Sequence, residues 1–228
     1  MSSKKDFEIF LYKNKYNTKT LIDFLPQLSS KTISYLFKDL GFQDSRCTLE
    51  TDNDNKLYIF SDGGCKSNGK KKTSAGYSVF FTEDENSPFY KFNKTDIIFD
   101  EPTNNKAELS AILLIFEIIY NNIDLFKTYE ILICTDSMYS INCIDKWSKN
   151  WVKNNWKNAK GENVKNQDII KNILEKKKYI NDQNIKTTFN HVFSHLQEPD
   201  DKNSLQYKLW YGNKKVDDNI NYLLNHQI

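Results

Sequence analysis

With 228 residues, 39% of them hydrophobic and 14% aromatic, the chain can build a full domain with an appendage, which excludes wholesale disorder. A formal net charge of +2 is too small to argue for a nucleic-acid partner, so only local charge can make that case. No stretch comes near the roughly 18 apolar residues of a membrane span, and MSSKKDFEIF has no apolar leader core, so the chain reads as soluble, intracellular and without a membrane partner.

Taken in chain order, DFEIFLY reads as a strand. Leu21, Phe24, Leu25 and Leu28, then Ile33, Leu36, Phe37 and Leu40, give two short amphipathic helical patterns. Ser29 or Ser30 is placed to cap the second and Gly41 to close it. Residues 50–56, ETDNDNK, are a polar, acidic break and the best candidate linker. Up to Lys56 nine basic residues face eight acidic ones, so residues 1–56 form a small accessory segment with no electrostatic bias and no assigned function.

After the break, residues 57–61, 75–82 and 89–99 read as three strands, the first ending at the turn signal Asp62-Gly63-Gly64. Residues 105–122 make a helix so apolar that it must be largely buried. A strand over 130–134 and a short helix over 137–144 follow, then a lysine- and tryptophan-rich stretch and a helix from about 167 to 179. Residues 187–193 make a last strand and 216–224 a last helix. Three meandering strands followed by alternating helix and strand predict a mixed α/β sheet with helices packed on its faces. Asp62 and Asp136 then fall at the carboxyl ends of strands, where such sheets place their sites.

Asp62, Glu108, Asp136 and Asp217 are separated by 46, 28 and 81 residues (108−62, 136−108, 217−136), so only folding can gather them. Carboxylates held side by side are costly unless a cation neutralises them, and hard oxygen ligands suit Mg²⁺ or Mn²⁺. Singly, each acid has an ordinary alternative. Asp62 suits a hairpin turn, Asn105-x-x-Glu108 a capping box, Asp136-Ser137 a helix cap, and Asp217 a first-turn acid beside the equivalent Asp218. Cys47, Cys65, Cys134 and Cys143 follow no zinc-ligand spacing, and His191 and His195 are separated by a strand-like VFS that denies them a shared helical face. Residues 144–178 carry ten lysines against four acids, with Trp147, Trp151 and Trp156 among them. Basic charge interleaved with flat aromatics suits a sugar-phosphate strand. The alternative is a solvated lysine face over core tryptophans.

From Leu57 to the C-terminus the chain resembles the type 1 ribonuclease H family in its eukaryotic form, through SDGGCKSNGKKKTSAGYSV, PTNNKAELSAI, CTDSMYSIN, WSKNWVKNNWKNAKGENVKN, HVFSH and GNKKVDD. The resemblance implies a ribonuclease H-like mixed five-stranded sheet with helices on both faces over residues 57–228. It implies a metal-dependent endoribonuclease acting on the RNA strand of RNA–DNA hybrids, with a metal-bound water attacking and 5′-phosphate and 3′-hydroxyl products. Asp62, Glu108, Asp136 and Asp217 take the places of the family's metal-binding tetrad. Asp62 would bridge two Mg²⁺ ions in the presence of substrate, with Asp217 on the nucleophile side and Glu108 and Asp136 on the leaving-group side. Mn²⁺ is an alternative ion. His195 takes the place of a mobile catalytic histidine, and Asn68, Asn104 and Asn105, with Met138 beside them, the places that contact the minor groove. Trp147, Trp151 and Trp156 fall in a basic protrusion that holds the DNA strand, and Thr103 and Asn166 in a phosphate-gripping pocket. Glu101 stands where that pocket has an arginine, and the 196–212 loop is longer than usual. The chain is expected to act as a monomer. A catalytically silent hybrid-binding module, a retroelement-type ribonuclease H and a transposase or integrase relative are the competing readings.

Overall fold

The computed structural model of the protein describes residues 55–66, 73–194 and 196–226, all within one unit, Leu49–Ile228. The elements expected before residue 55, together with Asn68 and His195, lie outside the described residues.

Runs rich in β-branched and aromatic residues form five strands, β1 Lys56–Lys66, β2 Ser74–Phe80, β3 Lys94–Ile98, β4 Glu130–Thr135 and β5 Thr187–His191, in the order β3-β2-β1-β4-β5. Short connections leave β1–β2 and β2–β3 antiparallel. The parallel pairs β1–β4 and β4–β5 are joined through helices, as parallel neighbours require. Those helices are α1 (Asn104–Asn121) with its short continuation α2 (Ile123–Phe126), and, after β4, α3 (Met138–Ile141), α4 (Ser148–Lys153) and α5 (Gln167–Asp182). A final helix, α6, spans Leu205–His226. Because side chains alternate along a strand, Leu57 and Ile59 of β1 face the main core with α1 and α5. Tyr58 and Phe60 face the other way, onto Val216 of α6. Helices thus cover both faces of a mixed five-stranded sheet. Among the described residues no helix is long and apolar enough to cross a membrane.

Several elements differ from expectation for identifiable reasons. β1 does not stop at Ser61 but runs through Gly63 and Gly64 to Lys66. The glycines serve close packing there. An added Cβ on Gly64 would lie 2.7 Å from Ile220 of α6. The strand expected over 89–99 begins only at Lys94, because Phe89 turns into the core, 5.3 Å from the Phe126 ring. Asn93 closes that excursion, accepting from the Phe81 N–H at 2.7 Å and donating to the Thr82 carbonyl at 2.6 Å. α1 starts at Asn104 and is capped by Thr103, whose hydroxyl accepts from the Lys106 N–H at 3.2 Å, so Asn105 is not the cap. A π-helical turn, Asn142–Trp147, connects α3 to α4. The last helix begins at Leu205, eleven residues before Val216, so much of the expected 196–212 loop is helical. Gly212 does not interrupt it. It lets α6 approach the sheet, since an added Cβ would lie 2.3 Å from the Phe60 ring.

Candidate active site

Parallel pairing of β1 with β4 ends at Phe60 opposite Cys134. Two residues further along each chain stand Asp62, still paired to Ser78 of β2, and Asp136, just past the end of β4. The register of one strand pair therefore sets both carboxylates at the same edge. Glu108 comes to them from the start of α1, which sits directly against Gly63. One carboxylate oxygen from each of Asp62, Glu108 and Asp136 lies within 4.8 Å of the others.

Proximity and burial both favour the protonated forms. Asp62 is pushed up to about 7, first by burial, then by Asp136 and Asp217, against the Gly63 N–H that donates to its Oδ1 at 2.7 Å. Glu108 is raised well above the usual carboxylate range by burial, then by Asp62 and Asp136. The Gly63 N–H and the Asn104 side chain oppose that rise. Asp136 is raised mainly by burial, against a hydrogen bond from Ser194. Glu108 is only 7% exposed, and its Oε2 is buried with no hydrogen-bond partner among the described residues. Left so, that oxygen carries a desolvation cost that no protein donor offsets. A small hard cation offsets it and the mutual repulsion together, so the three acids fit a Mg²⁺-like ion.

Asp217 does not join the three within 4.8 Å. It stands on α6 with its Oδ1 accepting from Asn221 at 3.0 Å, close enough for its charge to raise both Asp62 and Asp136. The arrangement is three acids in a cluster with a fourth beside them.

The remaining residues singled out from sequence divide. Asn104 hydrogen-bonds Glu108, Asn105 is exposed, and Met138, 42% exposed, opens α3. Asn166 precedes α5 with φ 55° and bonds the Tyr139 hydroxyl, while Glu101 is exposed with φ 43°. Trp147, Trp151 and Trp156 form an aromatic stair, with centroid separations of 5.8 and 6.4 Å. Trp151 and Trp156 pack against the main core, whereas Trp147 is 41% exposed. The core reading therefore holds for Trp151 and Trp156, and Trp147 is left at the surface. Sequence reasoning missed Ser194 beside Asp136, and His191, whose Nε2 lies 3.2 Å from the Asp136 carbonyl. Ser194 sits within HVFSH, but nothing in its spacing marks it.

Residues 54–218 match the family model RNase H. The chain is 34% identical over 123 residues to Ribonuclease H of Clostridium botulinum strain Hall, spanning 53% of this chain and 74% of that one. It is 32% identical over 120 residues to Ribonuclease H1 of Mus musculus, spanning 52% of this chain and 39% of that one. In fold it is similar to the PFV RNase H domain, with a TM-score of 0.53 at 19% identity over 72% of this chain and 92% of that one. It is likewise similar to the foamy viral protease-reverse transcriptase solved in complex with RNA/DNA hybrid, with a TM-score of 0.52 at 16% identity over 74% of this chain and 20% of that one.

Proposed function

Because the chain belongs to the RNase H family and is a ribonuclease H enzyme, we propose that it cuts the RNA strand of RNA–DNA hybrids internally, leaving 5′-phosphate and 3′-hydroxyl ends. The observation that carries this reading is the convergence of Asp62, Glu108 and Asp136 from β1, α1 and the end of β4. These three would hold the divalent cations, Mg²⁺ in the first instance and two with substrate in place, and Asp217 would complete the set from α6. Bound there, the cations supply the Lewis acidity and the activated water of an in-line phosphoryl displacement.

The chain's own residues orient that site. Asp62 would be one of the ligands, and the charges of both Asp136 and Asp217 reach it. Asn104 steadies Glu108 and Ser194 steadies Asp136. Asn68, Asn104 and Asn105 read the RNA strand, where short amides suit a 2′-hydroxyl that both donates and accepts. Trp147 and the exposed Lys146, Lys149 and Lys153 bind the sugar-phosphate backbone beside the site. His195 assists proton transfer or product release. We assign catalysis to residues 57–228 of a monomer and no function to the small accessory segment 1–56, which does not resemble the family's usual hybrid-binding domain.

The test is end-group analysis of the cleaved RNA. Fragments that a ligase joins only through a 5′-phosphate and 3′-hydroxyl support the reading. Fragments with 2′,3′-cyclic phosphate ends would mean that the RNA's own 2′-hydroxyl attacked, and would contradict it.

A further inference from the structure

Asp136 stands just beyond the last pair of the β4–β5 ladder, in which Thr135 faces His191. The bond that closes the ladder runs from the Val192 N–H to the Thr135 carbonyl at 3.0 Å. Past it the chain leaves the sheet through a tight corner. Ser137 has φ −82° and ψ 86°, and the Met138 N–H donates to the Asp136 carbonyl at 3.1 Å, the pattern of an inverse γ-turn. The Ser137 N–H donates to Thr135 Oγ1 at 3.2 Å, and Ser137 Oγ accepts from the Ser140 N–H at 3.3 Å. These bonds join residues only two or three apart, so they shape the corner without fastening it to a neighbouring strand.

His191 supplies such a fastening. Its Nε2 lies 3.2 Å from the Asp136 carbonyl, and because a carbonyl only accepts, Nε2 carries the proton and donates it. The bond ties β5 to the peptide unit of Asp136 itself. The donor is restrained in its turn. The half-buried His191 ring meets Phe193 edge-to-face, with centroids 5.0 Å apart, and the next residue, Val192, is buried and held by its ladder bond. A corner held only by its own bonds can pivot and carry its carboxylate with it. A bond from an adjacent strand removes that freedom during folding rather than when a ligand binds.

We infer that His191 is a positioning residue: its Nε2–H holds the Asp136 backbone against β5, so that the Asp136 carboxylate stays beside those of Asp62 and Glu108. This rests on the reading of Asp136 as a cation ligand. His191 needs to touch neither substrate nor ion for this role. It acts through the backbone of a ligand, as outer-layer hydrogen bonds act on metal ligands elsewhere.

The test uses the full chain with Mn²⁺ as the probe, its binding followed by paramagnetic resonance without nucleic acid, and hybrid cleavage measured in parallel. His191→Phe keeps a ring on the strand and deletes the donor. Loss of an outer-layer partner should weaken Mn²⁺ binding about tenfold. Cleavage should fall at limiting metal and recover at high metal, with KM for the hybrid unchanged. His191→Asn, whose amide falls short of the Nε2 position, should lose affinity in the same way, and provides the donor-less variant if His191→Phe does not fold. His191→Gln, whose amide N–H reaches that position, should recover most of the affinity. Wild-type Mn²⁺ affinity in the donor-less variants, or a loss in His191→Gln equal to theirs, would overturn the inference. So would a raised KM at unchanged Mn²⁺ affinity, which would make His191 a contact to the hybrid. Because binding is read without hybrid, a wild-type chain that binds Mn²⁺ but cuts nothing would fail the functional reading alone. A wild-type chain that binds no Mn²⁺ would overturn both.

Discussion

Gly63 lies so close beneath the start of α1 that a Cβ added to it would sit 2.1 Å from the backbone nitrogen of Glu108. That contact brings Glu108 beside Asp62, and it meets backbone atoms that cannot rotate away. Gly63→Ala should force α1 off β1. We expect a loss of stability toward the upper part of the roughly 1–3 kcal/mol typical of overpacking, with loss of hybrid cleavage. Gly64→Ala meets the Ile220 side chain instead, which can shift, and should melt closer to wild type. Equal melting temperatures for the two variants would contradict this account of the glycine pair.

Asp62 gives the metal-free protein a defined pH dependence. Its ordinary value of 3.8 is raised in the fold to about 7. Between those values the fold keeps a proton that the unfolded chain has released. The stability tied to this group is therefore full below about pH 4 and is lost as pH rises through about 7. Without metal, Asp62→Asn should melt like wild type near pH 4 and above it near pH 8. Thermal melts across that range check this, and a difference that does not grow with pH would contradict it.

Glu108→Gln tests the orphaned oxygen from the opposite direction. In the metal-free protein near pH 8 the neutral amide removes a buried repulsion with Asp62 and Asp136, so the variant should be at least as stable as wild type. Added Mg²⁺ should then raise its melting temperature much less than that of wild type. Losing a direct ligand should lower cleavage beyond the roughly 10- to 100-fold seen for outer partners. A Mg²⁺ response equal to that of wild type would remove Glu108 from the cation site.

The tryptophan stair predicts a division of labour. Trp147→Ala should weaken hybrid binding by the roughly 1–3 kcal/mol of a stacked base while leaving the fold intact. Trp151→Ala should mainly destabilise the protein, because that ring packs on the core. Removing the charge of Lys149 or Lys153 should lower the slope of log affinity against log salt by about one each. Binding titrations at several salt concentrations and thermal melts separate these effects.

The strand-forming runs and the apolar α1 made most of the sheet and its first large helix legible in the sequence, and three of the four distant acids singled out there, Asp62, Glu108 and Asp136, come together in the fold. The misplaced boundaries share a cause. Asp62-Gly63-Gly64 reads locally as a turn, and Gly212 falls in what reads as a long loop. In the fold both sites use glycine for lack of bulk, against α1 and α6 at the first and against Phe60 at the second. A glycine that bends the chain and one that admits a neighbour look alike until the neighbour is known. Phe89 likewise fitted a strand pattern, but a core partner distant in sequence, Phe126, drew it away. Ser194 reaches Asp136 from an exposed position beyond β5, and no periodicity encodes that.

The central claim is that the three gathered carboxylates serve metal-dependent cutting of RNA paired to DNA. The most direct measurement is cleavage of a labelled RNA–DNA hybrid beside matched RNA–RNA and DNA–DNA duplexes, with Mg²⁺, with Mn²⁺ and with chelator, for wild type and Asp136→Asn. Cutting of the hybrid's RNA strand alone, dependent on metal and lost in the variant, is the predicted result. Tight binding of the hybrid without cutting, or cutting that persists in Asp136→Asn or in chelator, would contradict it.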